Sequence, residues 1–247
     1  MSGAAAFGNI FRIPELKKKV FFTLGILVVY RIGAHIPTPG INSAALAEVM
    51  ARMTGTIMGF FDMFSGGALS RLTIFALGIM PYISSSIILQ LMTMVSPYLA
   101  RLKKEGEQGQ KKITQYTRYG TIVLSMIQSS GIAVGLEAMK SPSGNPLVPM
   151  PGWDFRVMTV LTLTAGTTLL MWLGEQITER GIGNGISLII FAGIVAGTPA
   201  AIFQSMDLMG TGELSVLVML FLMVFMTAVV GAIVFTEGGQ RRISIQY

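Results

Sequence analysis

Residues Gly55 to Met94 read GTIMGFFDMFSGGALSRLTIFALGIMPYISSSIILQLMTM. The stretch begins with a short apolar run, Thr56 to Phe64, which is too short to cross a bilayer as a helix. Ser65 and the pair Gly66-Gly67 follow, and glycine permits a sharp reversal of the chain. The pattern predicts a half-length apolar helix that folds back beside a longer one.

The second half of the stretch is a long apolar segment, Leu72 to Val95, which Gly78 and Pro81 interrupt. We expect a membrane span that is kinked at Pro81, because a proline removes a hydrogen bond from a helix interior. Lipid offers no partner to the polar side chains of this segment, which are Ser84, Ser85, Ser86 and Gln90. They are therefore expected to face protein or a wet cavity, as in a lined pathway.

The composition of the whole chain predicts an integral membrane protein. Of its 247 residues, 52% are hydrophobic and 12% are charged, whereas a soluble domain carries about 25% charged residues. Hydropathy predicts an all-α, polytopic protein with six spans, near Val20–Ile36, Leu72–Val95, Tyr116–Leu136, Arg156–Leu173, Ile186–Met206 and Leu214–Phe235. The sequence stops soon after the sixth span, in what reads as a basic loop, and this suggests a fragment of a longer chain.

Basic residues are unevenly distributed between the two sides of these spans. Most of the 18 lie in the two tails and in the loops after the second and fourth spans. Cytoplasmic loops are enriched in Lys and Arg, so both ends are predicted to be cytoplasmic and Thr56–Phe64 to lie on the outer side. For Arg31 and His35, near the far end of the first span, we favour snorkelling to the interface over a proton relay.

No group of residues in the sequence supports catalysis or metal binding. One His and no Cys leave no zinc or Cys-His site, so no metal, cofactor or enzymatic activity is predicted. Glu175 and Glu179 have helical spacing, but they lie in a polar turn beside Arg180, which favours a solvated helix end. The glycines of residues 180–185, RGIGNG, lack the strand and the Lys-Ser/Thr of a phosphate loop.

Ile79, Ile83 and Ile87 recur at every fourth position and therefore share one helix face. Packing against lipid is the usual explanation for such a stripe. A hydrophobic constriction in a pore is the sharper alternative. The residues alone leave both open.

Several long motifs resemble the SecY family, whose members form the central subunit of the bacterial protein-conducting channel. They are MFSGGALSRLTIFALGIMPYISSSIILQL (63–91), KKEGEQGQKKITQYTRYGT (103–121), MWLGEQITERGIGNGISLIIFAGIVAG (171–197) and EGGQRRISIQY (237–247), together with RIGAHIPTPGI (31–41). The resemblance implies the amino-terminal part of an inverted-repeat channel. Residues 1–206 would be its first five-span half, and residues 207–247 the first span of the second half and the start of a docking loop.

The resemblance implies a role for each matched position. The aliphatic ring at the waist of the channel matches Ile79, Ile83 and Ile190, and the lateral gate would include Ser84, Ser85, Ser86 and Gln90. Arg241 and Arg242 would begin the docking loop. The re-entrant plug helix would comprise Thr56, Ile57, Met58, Gly59, Phe60, Phe61, Asp62, Met63, Phe64, Ser65 and Gly66.

The resemblance also implies partners and a location. The partners would be the small membrane subunits SecE and SecG, the SecA motor, the ribosome, polypeptides with signal sequences, and lipid of the bacterial cytoplasmic membrane. The runner-up function is a secondary transporter of a small solute, which usually needs an intramembrane charge or a coordinated ion. No acidic residue lies deep in any predicted span, and a membrane-embedded enzyme would need a catalytic group that the sequence lacks.

Overall fold

Helices make up most of the chain. In this computed structural model the described residues are 13–53, 57–212 and 214–239. The helices are α1 (Pro14–Gly33), α2 (Ser43–Met53), α3 (Ile57–Ser65), α4 (Met80–Val95), α5 (Pro97–Lys104), α6 (Glu107–Ala138), α7 (Trp153–Arg180), α8 (Gly185–Gly210) and α9 (Val216–Glu237). Within the described residues, extended pairing is limited to isolated bridges such as Pro37–Thr73. The prediction of an all-α membrane protein is confirmed.

The helices differ in how clearly they qualify as membrane spans. Four of them, α6, α7, α8 and α9, are long and apolar enough to cross a bilayer, and the bent pair α4–α5 counts as a fifth if it is taken as one span. The first predicted span lies in α1, which is 20 residues long. Three lysines at 17–19 and Arg31 make α1 more charged than these helices, so length and composition alone do not mark it as a span.

Only the second part of the second predicted span, Leu72–Val95, is helical. Residues 66–79 form turns, and α4 begins only at Met80. Pro81 therefore lies in the first turn of α4, where its missing N–H leaves no helical hydrogen bond unmade. The predicted kink at Pro81 is wrong. The chain bends by 99° at Ser96 instead, because a residue before a proline disfavours the helical conformation.

The irregular segment 66–79 is buried or half-buried except at Arg71. Its Ile74 N–H donates to the Ile36 carbonyl at 3.0 Å, and its Leu72 carbonyl accepts from the Thr38 N–H at 2.9 Å. Gly166 of α7 lets this backbone approach closely, since a Cβ there would collide with the Ile74 carbonyl oxygen. Irregular backbone is tolerated at membrane depth where protein surrounds it and satisfies its polar groups.

Small side chains on α6 bring its neighbours close. Its buried positions recur at every fourth residue and include Thr117, Thr121, Ser125 and Ser129. The two threonine hydroxyls donate to carbonyls of their own helix, at 3.0 Å and 2.7 Å. Their polar atoms are therefore satisfied, and α6 can pack tightly against α4 and α7.

The chain divides into two compact units, Met1–Gly197 and Thr198–Tyr247. The first unit has two main apolar clusters, one around Leu46, Leu147 and Leu163 and the other around Tyr30 and Phe75. The second unit contains the end of α8 and all of α9. No residue of α9 is buried, and its apolar side chains suit lipid or a further apolar partner. The predicted division after residue 206 stays a prediction.

Candidate functional site

An apolar cavity of about 760 Å³ lies within the first unit. The end of α3, the segment 66–79, the start of α4 and one face of α6 line it, and Ser65 and Gln128 supply its polar side chains. Ile79, Ile83 and Ile190 all contribute to its wall. Few polar groups face the cavity, so its surface offers little to a hydrophilic solute or an ion.

The cavity brings together the isoleucines that sequence analysis matched to a ring. Ile79 is 6% exposed and directly precedes α4, and Ile83 follows one turn later. Both belong, with Ile190 of α8, to one apolar cluster. Ile87, the third member of the sequence stripe, is 51% exposed. The stripe therefore divides into two residues that line the cavity and one that does not.

α3 is a nine-residue helix that ends at the cavity. It lies within the predicted plug, residues 56–66, and its Phe64 and Ser65 contribute to the cavity wall. Thr56 lies outside the described residues, as do the side chains of Ile57, Met58, Phe60 and Phe61. Gly59 is half-buried, and Met63 is 49% exposed. A plug that moves stays a prediction.

Hydrogen bonds fix the turn that ends α3. The Asp62 carbonyl accepts from the Gly67 N–H at 3.0 Å, and its carboxylate accepts from the Ser70 N–H at 2.8 Å. The Ser65 hydroxyl donates to the Asp62 carbonyl at 2.9 Å. Gly66 and Gly67 have φ values of 66° and 81°, which side chains with a Cβ rarely adopt. The local sequence therefore determines where α3 reverses.

Two neighbouring side chains of α1 bind the same turn. The Tyr30 hydroxyl donates to the Ser65 carbonyl at 3.2 Å, and Arg31 Nη1 donates to the Gly66 carbonyl at 3.1 Å. The Arg31 guanidinium therefore has a protein partner, and its snorkelling to the interface stays a prediction. His35 Nδ1 donates to the Arg31 carbonyl at 2.8 Å. Neither contact to the turn could be predicted from the sequence, because each joins residues 35 positions apart.

The four residues predicted for a lateral gate differ in their surroundings. Ser85 is 2% exposed, and its hydroxyl donates to the Thr117 carbonyl of α6 at 2.9 Å. A Cβ at Gly120 would collide with that hydroxyl, so Ser85 fits a glycine notch on α6. Ser85 therefore joins two helices, and Ser84 is half-buried.

Ser86 and Gln90 continue the face of α4 that carries the cavity isoleucines. They follow Ile79 by seven and eleven residues, which is close to two and three helical turns. The Gln90 amide donates to the Ser86 hydroxyl at 3.3 Å, and Gln90 is exposed. One strip of α4 is thus apolar at the cavity and polar towards its carboxyl end.

An ion pair joins α6 and α7. Arg118 Nε lies 2.8 Å from Glu175 Oε1, and the Glu175 side chain is 13% exposed. The prediction of a solvated helix end is therefore wrong for Glu175, while Glu179 is exposed. The pair links the two helices.

The helix that precedes α3, α2, is bound to the connection between α6 and α7. Both Ser141 and Ser143 donate hydroxyl hydrogen bonds to the Glu48 carboxylate of α2, and these bonds lower the pKa of Glu48. The Asn42 N–H donates to the Leu147 carbonyl at 2.9 Å, and Leu46 is buried in the adjoining apolar cluster. α2 is therefore held firmly to the connection between α6 and α7.

The predicted docking residues Arg241 and Arg242 lie outside the described residues. In residues 13–53, 57–212 and 214–239 there is no group of three or more acidic or histidine side chains that could hold a metal ion.

Comparison with known proteins identifies the family. A family model described as SecY matches residues 73–247. The chain belongs to the SecY family. It is 58% identical over 235 residues to the protein translocase subunit SecY of Escherichia coli (strain K12), a match that covers 95% of this chain and 53% of that protein. The chain thus spans about half the length of the curated SecY relatives it matches.

Solved channel structures share the SecY-family fold of this chain. Sec61 in the canine ribosome–channel complex from the endoplasmic reticulum matches with a TM-score of 0.60 at 19% identity, over 96% of this chain and 53% of that one. A SecY structure, described as one whose plug domain stabilises the closed state and maintains a membrane seal, matches with a TM-score of 0.50 at 20% identity, over 78% and 40%. At these identities the likeness concerns the fold.

Proposed function

We propose that this chain forms the amino-terminal part of a channel that passes unfolded polypeptides across a membrane and releases apolar segments into lipid. The observation that supports it is the cavity in which Ile79, Ile83 and Ile190 come together beside the end of α3. Residues 1–206 would form the first half of the channel, and residues 207–247 would begin the second.

The chemistry of the isoleucines suits a seal around a moving chain. Aliphatic side chains form no hydrogen bonds. They therefore do not select a particular polypeptide sequence and can pack around any polypeptide that passes. A narrow apolar neck also resists wetting, which keeps ions out when no polypeptide is present. In this proposal α3, with residues 56–66, is the plug that covers the neck from the outer side.

The lateral gate would use α4 and α6. Ser86 and Gln90 would line the pathway, because they lie on the cavity-facing strip of α4. Ser85 would act by joining α4 to α6 through Thr117. Ser84 is the fourth gate residue that the family resemblance implies. Signal sequences would then pass along α4, where the polar side chains of Ser86 and Gln90 follow the isoleucines of the neck.

The assembled channel would have several partners. We infer SecE, SecG, the SecA motor and the ribosome, in a bacterial cytoplasmic membrane with the amino terminus in the cytoplasm. Basic side chains support a cytoplasmic docking surface; they include Arg101, Lys103 and Lys104 of α5, all exposed, and the sequence positions Arg241 and Arg242. The channel itself would make no covalent change.

Site-specific photocrosslinking tests this proposal. A photoreactive residue would replace Ile83 in the intact channel, reconstituted with its small subunits, and a secretory polypeptide would be arrested in transit. We expect crosslinks to the polypeptide from position 83 and few from position 87, because Ile87 lies outside the cavity wall. Equal crosslinking from both positions, or none with a polypeptide trapped, would overturn the proposal. Uptake of a small solute without any polypeptide would favour a transporter instead.

A further inference from the structure

We propose that Tyr30 and Arg31 are positioning residues that hold α3 in its seated place by binding the two carbonyls at its end. This inference rests on the proposed function of the chain as part of a protein-conducting channel. It assigns to α1 the task of keeping the resting channel closed.

The geometry resembles a two-point clamp. Consecutive side chains, Tyr30 and Arg31, donate to consecutive carbonyls, those of Ser65 and Gly66, at 3.2 Å and 3.1 Å. Tyr30 is 3% exposed, and its ring stacks on Phe75 with 6.0 Å between centroids. The hydroxyl is therefore fixed by a packed ring before it reaches the turn, and little conformational freedom is lost in making the bond.

The turn also contacts α8, beside the Tyr30 hydroxyl. A Cβ on Gly66 would lie 2.9 Å from the Cα of Gly193, and a Cβ on Gly193 would lie 3.1 Å from the Phe64 carbonyl oxygen. The backbones of the turn and of α8 thus touch directly. This contact blocks motion of the turn towards α8, and the hydrogen bonds from α1 oppose motion away from it.

The two ends of α3 are held by unlike means. On its amino-terminal side, α2 is held by apolar packing around Leu46 and by the Glu48 hydrogen bonds to Ser141 and Ser143. On its carboxyl-terminal side, Tyr30 and Arg31 hold the turn through their hydrogen bonds to the Ser65 and Gly66 carbonyls. Weakening these bonds is therefore expected to act on the carboxyl end of α3 and to leave α2 in place.

The charge of Arg31 makes the clamp responsive to water. The two ion pairs of the described residues are Arg118–Glu175 and Arg156–Glu137, so neither of them neutralises Arg31. Its guanidinium instead donates to a neutral carbonyl, and a hydrogen bond from a charged donor is stronger than a neutral one. Losing that bond is costly in a dry, closed channel and cheaper once water enters. The clamp is thus strongest in the closed state.

The test compares Arg31→Gln, Arg31→Lys and Tyr30→Phe with a matched control, Arg71→Gln, an exposed arginine on the segment 66–79. Each would be made in the intact channel with its small subunits. Resting ion conductance is measured in a planar bilayer. Seating of α3 is measured by the rate at which an impermeant maleimide labels Ser65→Cys from the outer side, because position 65 is only 7% exposed in the seated helix.

We expect Arg31→Gln to raise resting conductance and labelling about tenfold or more, and Tyr30→Phe to raise both about fivefold, from the usual strengths of charged and neutral hydrogen bonds. Arg31→Lys should restore part of the closure, because lysine keeps a charged donor, which bonds more strongly than the neutral amide of glutamine. A general loss of stability would not be rescued in this way. Arg71→Gln should match the unaltered channel.

Two outcomes would overturn the inference, and they are distinguishable. If Arg31→Gln and Tyr30→Phe leave conductance and labelling unchanged while polypeptides are still translocated, the clamp is wrong and the proposed function stands. If the unaltered channel shows no conductance that depends on a polypeptide, the proposed function fails and the clamp fails with it.

Discussion

Replacing Gly166 by alanine tests the close contact that positions the cavity wall. Gly166 lies in α7, against the segment 66–79 that leads to Ile79. An added Cβ would collide with the Ile74 carbonyl oxygen and lie 3.4 Å from the Phe75 ring. The carbonyl belongs to backbone that is itself held, since the Ile74 N–H donates to Ile36 at 3.0 Å. The segment cannot yield as a flexible side chain would.

The two effects of this change oppose each other. Alanine in a helix interior is favoured over glycine by about 1 kcal/mol. Overpacking a tight contact costs about 1–3 kcal/mol, and more where backbone must move. Because the clash here is with backbone, we expect the upper part of that range and a net loss of about 2 kcal/mol in the free energy of unfolding.

The measurement is denaturant unfolding of the detergent-solubilised channel, followed by the fluorescence of Trp153 and Trp172, both of which lie on α7. The matched control is Gly25→Ala in α1, where an added Cβ would meet nothing within 4 Å. Gly25→Ala should leave stability unchanged or raise it slightly. If Gly166→Ala unfolds at the same denaturant concentration as Gly25→Ala, the reasoning about the contact is refuted.

Three further predictions concern other parts of the chain. Ser85→Ala should lower the free energy of unfolding by about 1 kcal/mol through loss of its bond to α6, while Ser86→Ala on the same helix should change it little; equal effects in denaturant unfolding would contradict the assignment. The pKa of Glu48 is lowered by serine hydrogen bonds, so its contribution to stability is present at neutral pH and lost as acid protonates it. Glu48→Gln should therefore flatten the fall in melting temperature between neutral and acidic pH, and an unchanged profile would count against that contribution. Changing both Arg241 and Arg242 to Glu should weaken ribosome or SecA binding and its dependence on salt, with membrane insertion unaffected; a binding assay that shows no change across a salt titration would remove the docking role.

The short helix and its reversal could be predicted because their causes are local. The run from Thr56 to Phe64 is too short to span, and the serine and paired glycines that follow supply the cap and the positive φ values. The ring positions Ile79, Ile83 and Ile190 came from family resemblance, since a stripe of isoleucines by itself is also consistent with packing against lipid. The cavity distinguishes these two residues, because Ile83 lies in its wall and Ile87 does not.

The turns at residues 66–79 could not be predicted, because their causes are tertiary. The segment is apolar enough to read as helix, and a proline such as Pro81 is compatible with either a kink or a first turn. The contact with Gly166 that accommodates the irregular backbone lies far away in the sequence. The contact of Arg31 was not predicted for the same reason, because no local pattern marks the Gly66 carbonyl as its partner.

Resting ion conductance tests the central claim, that an aliphatic neck seals a polypeptide pathway. The variant is Ile79→Ser with Ile83→Ser in the intact channel, and the control is Ile87→Ser on the same helix. Two hydroxyls in the neck should favour wetting, so the double variant should leak ions steadily while the control stays closed. A double variant that expresses normally and is as tight as Ile87→Ser would contradict the account.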